Sequence, residues 1–199
     1  MATLFVDKLD PQSGTSLEIG SSGDTISVPS GATINLSNAT QTGVGGVNTP
    51  AFLIRKTSDQ TLSDGATTKI TFDASAKDLD TNSDWDATNN RFIPSVAGKY
   101  YFFWKGQASS TGGNSTVETV EAMFYKNGSV VASSGMAIGF ESNNGRYVAP
   151  PTFTILDMNG SSDYVEAYQS IYVSSGTPTV HGSSSSQWAA LFGGYKIIE

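Results

Sequence analysis

Residues 98–105 read Gly98-Lys99-Tyr100-Tyr101-Phe102-Phe103-Trp104-Lys105. Aromatic residues favour a pleated, packed backbone, so the run predicts a strand. Successive side chains of a strand point to opposite faces, and an antiparallel sheet with one face in water should alternate apolar with polar. Here Tyr100, Phe102 and Trp104 fall on one face, and Tyr101 and Phe103 on the other. Both faces therefore need a cover, and all five are candidate core or interface residues. The second face is covered by another sheet of the same chain, by tyrosine rings lying flat, or by another subunit.

The same grammar continues outward. Short β-rich runs separated by turn residues occupy the chain from Ala51 onward: AFLIRKT, TKITF, RFIPS, TVEAMFYKNGSVVASS, RYVAPPTFTILDM, DYVEAYQSIYVSS and WAALFGGYKII. Several strands at such spacing predict an all-β sandwich or barrel. Val117, Val120 and Phe124 have helical spacing, but Tyr125-Lys126-Asn127-Gly128-Ser129-Val130 continues that segment as a hairpin, which decides for strand.

The segment before Ala51 is different. SLEIGSSGDT, ISVPSGAT and INLSNAT form a loose repeat of about eight residues, each with apolar residues at i and i+2 and then a turn signal. The pairs are Leu17 and Ile19, Ile26 and Val28, and Ile34 and Leu36. Two apolar side chains per unit bury too little to offset the ordering of the unit, so the segment should not fold alone. Two readings stand: a flexible Gly/Ser/Thr linker, or a short β-repeat shaft in which three chains bring these residues together on a common axis. The shaft is the expectation, because the apolar pairs are regular. Its extended length, at most about 90 Å, suits a short fibre and not a long one. The expected organisation is an anchor segment over 1–14, a shaft and Gly-rich hinge over 15–50, and a globular knob over 51–199.

Composition narrows the function. Charged residues make up 15% of the chain and net charge is −7, with 11 Lys and Arg scattered singly, which excludes the basic stripe of a nucleic-acid binder. There is no cysteine, hence no disulfide framework, thiolate metal site or thiol nucleophile. Met1 to Asp10 lack a basic region followed by an apolar run, and no stretch approaches a membrane helix, so neither secretion by that route nor membrane insertion is expected.

The order of motifs in the knob carries a resemblance. Ala51-Phe52, Ile70-Thr71-Phe72-Asp73, Arg91-Phe92-Ile93-Pro94, Gly98 to Phe103, and Tyr125-Lys126-Asn127-Gly128-Ser129-Val130-Val131-Ala132-Ser133 follow one another with the spacing of the complement 1q and tumour necrosis factor jelly roll. Tyr164-Val165-Glu166-Ala167-Tyr168 and the closing Trp188 to Ile197 extend the resemblance over residues 51 to 198. It implies a ten-stranded jelly-roll sandwich, assembly as a trimer, and binding instead of catalysis. The insertion MAIGFESNNGRYVAPP and the enlarged loop over 174–187 depart from the pattern, so no loop-borne ligand contact carries over. The N-terminal stretch, LFVDKLD followed by SSGDTISVPSGATINLSNAT, resembles fibre-like structural proteins of tailed phages, especially marine ones.

Chemistry-bearing clusters are few. The single histidine, His181, sits in a Gly/Ser-rich segment and predicts an exposed loop residue, and no phosphate loop, zinc pair or catalytic carboxylate pair is found, so no enzyme activity and no cofactor are expected. Asp78, Asp80, Asn82, Asp84 and Asp86 alternate like the front half of a calcium loop, but Ser83 stands where the sharp-turn glycine belongs and Asn89 where the closing glutamate belongs. A solvated acidic loop without metal is the expectation. Trp85 and Tyr147, aromatic residues in loops, are candidate receptor contacts, since flat rings stack on sugars and anchor protein interfaces; packing against their own loops is the competing reading.

Together these readings lead to a structural virion protein of a tailed phage, a homotrimeric short fibre or spike with a terminal knob for host-surface adhesion. Its partners are other virion proteins through the N-terminus and a glycan or protein of the host surface. A trimeric capsid decoration protein and a cellular lectin-like trimer are the alternatives.

Overall fold

A computed structural model describes residues 9–35, 48–73, 77–112, 117–138, 147–183 and 190–198. The chain divides into two compact units, Met1–Val44 and Gly45–Glu199.

Within the first unit, the described residues 9–35 form no strand. Turns lie where the repeat places its Ser-Gly and Pro-Ser-Gly signals: Asp24 N donates to Ser21 O at 2.9 Å and Ala32 N to Pro29 O at 3.1 Å. Leu17, Ile19, Ile26, Val28 and Ile34 are all exposed; Leu36 lies outside the described residues. The short strands expected of a shaft are thus absent among the described residues 9–35, where the apolar pairs lie exposed.

The second unit is all-β and antiparallel throughout. Its strands are β1 (Ala51–Arg55), β2 (Gln60–Thr61), β3 (Thr68–Lys69), β4 (Lys77–Asp80), β5 (Trp85–Asp86), β6 (Arg91–Phe92), β7 (Ala97–Lys105), β8 (Ala108–Thr111), β9 (Val117–Lys126), β10 (Ser129–Ala137), β11 (Tyr147–Val148), β12 (Pro151–Asn159), β13 (Val165–Val173), β14 (Thr177–Val180) and β15 (Leu191–Lys196). They form a five-stranded sheet, β12-β7-β15-β1-β4, a six-stranded sheet, β10-β9-β13-β6-β5 with β3 also paired to β13, and a small sheet, β11-β8-β14-β2. The segment Val117–Lys126 is a strand despite its helical spacing, because Asn127 and Gly128 take the positive φ values (51° and 80°) of a tight hairpin turn into β10.

The core lies between the two large sheets. Phe52 of β1 stacks on Phe92 of β6 with ring centroids 4.1 Å apart, and Phe124 of β9 meets Phe102 at 6.4 Å and Phe192 at 5.9 Å. Tyr100, Phe102 and Trp104 all point into this space and are buried. The Tyr100 hydroxyl donates to Val96 O at 2.7 Å, and burial, with a smaller contribution from the Asp84 charge, pushes its phenol up to about 12. Gly194 of β15 is needed for this packing. A Cβ there would sit 2.7 Å from Tyr101 O and 2.8 Å from the Phe102 ring.

Candidate functional site

Alternation sends the other half of the five-stranded sheet outward. Register aligns its side chains into rows: Phe153, Phe103, Gly193, Leu53 and Leu79 across the sheet, and beside them Ile155, Tyr101, Tyr195 and Ala51. Residues opposed in an antiparallel pair share a face, so both rows form one continuous apolar surface. Phe153 is 67% exposed and Ile155 58%, values ordinarily met by charged side chains. Tyr101 ties the surface together, stacking near Phe153 at 6.5 Å and meeting Tyr195 at 5.6 Å. Gly193 leaves room for Phe103: a Cβ there would lie 2.5 Å from the Phe103 ring.

Charged rows border this surface. On one side Lys105 and Arg55 flank Leu191, with Arg55 paired to Asp78; on the other Lys99 faces Asp157 at 3.6 Å. An apolar centre within a polar rim is the usual build of a protein–protein interface.

The outer face of the six-stranded sheet contrasts with it. Tyr125 and Tyr168 stack on each other at 4.0 Å, Lys69 pairs with Glu166, and Arg91 lies 4.6 Å over the Tyr164 ring while binding Asp86 at 3.0 Å. Burial raises the Tyr168 phenol, and the Glu166 charge adds to it. Polar groups there are satisfied by one another.

The remaining predicted site residues are placed as follows. Trp85 is not a surface contact: it is 6% exposed, its ring packed 5.9 Å from Phe52, 5.6 Å from Phe72 and 5.9 Å from Phe192. Its acidic neighbours explain the inversion. Asp84 Oδ2 accepts from Ser95 N and Oγ at 3.0 and 3.1 Å, and Asp86 accepts from Asn89 and Arg91, so the carboxylates hold the outside while the ring turns in. Burial pushes Asp86 up, but Asn89 and Arg91 outweigh it and hold the carboxyl below its ordinary range.

The stretch from Asp78 is likewise no free loop, since β4 pairs with β1 over it. Asp78 binds Arg55, and Asp80 accepts from Asp84 N at 3.0 Å and faces Lys77 at 3.2 Å. Among the described residues no three acidic or histidine side chains converge on a metal position. Tyr147 is exposed at 58%, and His181 lies beside it, ring centroids 5.8 Å apart.

The reading of Tyr100 to Trp104 as a two-faced strand locates only the middle of the apolar surface. Phe153, Ile155, Leu79 and Tyr195, which complete it, were not singled out. The available signal was in Pro151 to Met158, where Phe153 and Ile155 occupy one phase of the alternation and Leu156 and Met158 the other.

No family model matches the chain, and no curated protein sequence does.

Proposed function

We propose that this chain is a non-enzymatic structural protein of a tailed-phage particle, a homotrimeric short fibre or spike. Residues 51–199 are its adhesive knob, and segment 1–14 docks on other virion proteins. The observation that carries the reading is the continuous apolar surface of Phe153, Ile155, Phe103, Tyr101 and Tyr195. Monomeric proteins rarely leave such a surface to water, and burying one large apolar side chain is worth about 1.5–3 kcal/mol. Copies of the same chain are the cover in this reading, and the apolar pairs from Leu17 to Ile34 meet their counterparts in the same assembly.

A ten-stranded jelly roll is supported by how the chain winds. Strands β4-β1-β15-β7-β12 and β5-β6-β13-β9-β10 make two sets of five, and the path passes from one set to the other between β4 and β5, β6 and β7, β7 and β9, β10 and β12, β12 and β13, and β13 and β15. Repeated crossing between two packed sheets is Greek-key winding. Placement on a phage particle draws on the resemblance of the N-terminal segment to fibre-like proteins.

Light scattering on the full chain tests the reading. The expected mass is that of three chains, falling to one in Ile155→Lys with circular dichroism unchanged. A wild-type chain that stays monomeric at tens of micromolar, about the concentration at which a specific interface should form, sinks it.

A further inference from the structure

An edge strand presents unpaired N–H and C=O groups on which another strand can form, and folded proteins guard such edges with charge, proline or brevity. At the margins of the five-stranded sheet, β4 carries Lys77, Asp78 and Asp80, and β12 starts on Pro151 and carries Asp157. The edges β2, β5 and β11 are two residues long. Strand β10 is the exception. It pairs with β9 alone, and its nine residues, SVVASSGMA, include no charge and no proline.

This strand is also open to solvent. All its residues but Ala132 and Ser134 are exposed, Met136 among them. Its one irregularity is a bulge between Val130 and Ala132, near one end, and the stretch from Ala132 to Ala137 keeps regular register with β9. Ala132, Ser134 and Met136 stand opposite Phe124, Ala122 and Val120 and share their inner face. Ser133 and Gly135 stand opposite Met123 and Glu121 and share the outer one.

We infer that β10 joins β10 of a second copy, antiparallel across a two-fold axis, so that their six-stranded sheets run on as one. The strand has no charge by which to select a foreign partner, and opposed to itself it brings no like charges together. Against β4 or β12 it would meet fixed charges or the missing donor of Pro151. Centred on Ser134, the pairing keeps every residue from Ala132 to Met136 on its own face. It sets exposed Met136 against Ala132 of the second copy, and Ser133 against Gly135. One pair of strands buries less than the roughly 1,200 Å² of a stable complex, so the contact is weak in solution and acts between copies already held side by side. It rests on the virion reading for that setting, joining neighbouring fibres on a particle through an edge of the other sheet from the one that carries the apolar face.

Sedimentation equilibrium on the full chain tests it. From about 20 μM to about 2 mM, a range that brackets a millimolar Kd, the wild-type mass should double. Ser133→Lys and Ser133→Glu place like charges as diagonal neighbours across the axis, so each should abolish the doubling with circular dichroism unchanged. An equimolar mixture of the two should restore it, which neither a foreign strand nor unspecific aggregation would do. Gly135→Lys is a second probe of the same edge: a Cβ there meets nothing nearer than 3.6 Å, so the variant keeps the fold and should lose the doubling too. A constant wild-type mass, a doubling that persists in Ser133→Lys and Gly135→Lys, or a mixture no heavier than its components overturns the inference. The two assembly readings fail separately: a trimer that never doubles refutes the edge contact alone, and a monomer that becomes a dimer refutes the trimer alone.

Discussion

Tyr100 and Tyr101 are neighbours in sequence and opposites in circumstance. Tyr100 is fully buried, and its hydroxyl is bonded to Val96 O; Tyr101 shares an uncovered surface with Phe153 and Tyr195. The two faces of the five-stranded sheet carry comparable aromatic content, yet only one meets the six-stranded sheet. A sandwich has two inner faces, and the chain has already spent both on each other. The outer aromatic face is then one that no other described strand of the chain covers.

The largest effect should come from the inner face. Phe102→Ala removes a ring fully enclosed by Phe52, Phe92, Tyr100 and Phe124, and should cost about 3–5 kcal/mol in denaturant unfolding. A loss below 1 kcal/mol, about the level of a surface change, would mean the inner face is not the core.

The glycine pair of β15 separates the faces at adjacent positions. Gly194→Ala drives a methyl against the Tyr101 carbonyl and the Phe102 and Phe52 rings, none free to move, and should cost about 1–3 kcal/mol. At Gly193 the closest obstacle is the tip of the Phe103 ring, which can swing outward. Gly193→Ala should therefore cost under about 1 kcal/mol in folding while disturbing the outer row, and should weaken the trimer proposed above. Equal costs at the two sites would remove the distinction.

Concentration supplies a third contrast. If the outer face is covered by other copies, the wild-type unfolding midpoint rises with protein concentration, and that dependence disappears in Ile155→Lys. A midpoint independent of concentration in both would assign the face no role in assembly.

Acid should act least. Thr57 holds the Asp73 carboxyl below its ordinary value of 3.8, with Ser58 and Lys56 adding to it, and Asn127 and Lys126 do the same for Asp163. A carboxyl whose folded value is lowered contributes stability that is complete above its unfolded value and is lost as pH falls through the folded one. The protein should hold its stability from neutral pH down to about 4 and lose it gradually below that. Asp73→Asn should flatten the decline, as read by melting temperature against pH.

Much of the inner architecture is legible in the residues. Asn127-Gly128 between two β-rich runs marks the hairpin, and the run Tyr100 to Trp104 marks a central strand with two apolar faces. Trp85 was not legible. Flanked by Asp84 and Asp86 it reads as a loop-tip ring, and only the partners of those carboxylates, Ser95 and Arg91, reveal why it turns inward. The small sheet was not legible either, because strands of two to four residues around Gln60, Ser109, Tyr147 and Thr179 carry too few side chains for a period to show.

Local side-chain chemistry was enough to establish an all-β chain, the turns of its N-terminal repeat, and a central strand with two apolar faces. Those are consequences of alternation and turn stereochemistry, which act between near neighbours. Which face of that strand the chain covers, whether Trp85 or Tyr147 reaches solvent, and where Gln107 and Asp59 each meet His181 depend on pairings between residues tens of positions apart. Such pairings are set by how the sheets cross and pack, a property of the whole chain that no single stretch contains.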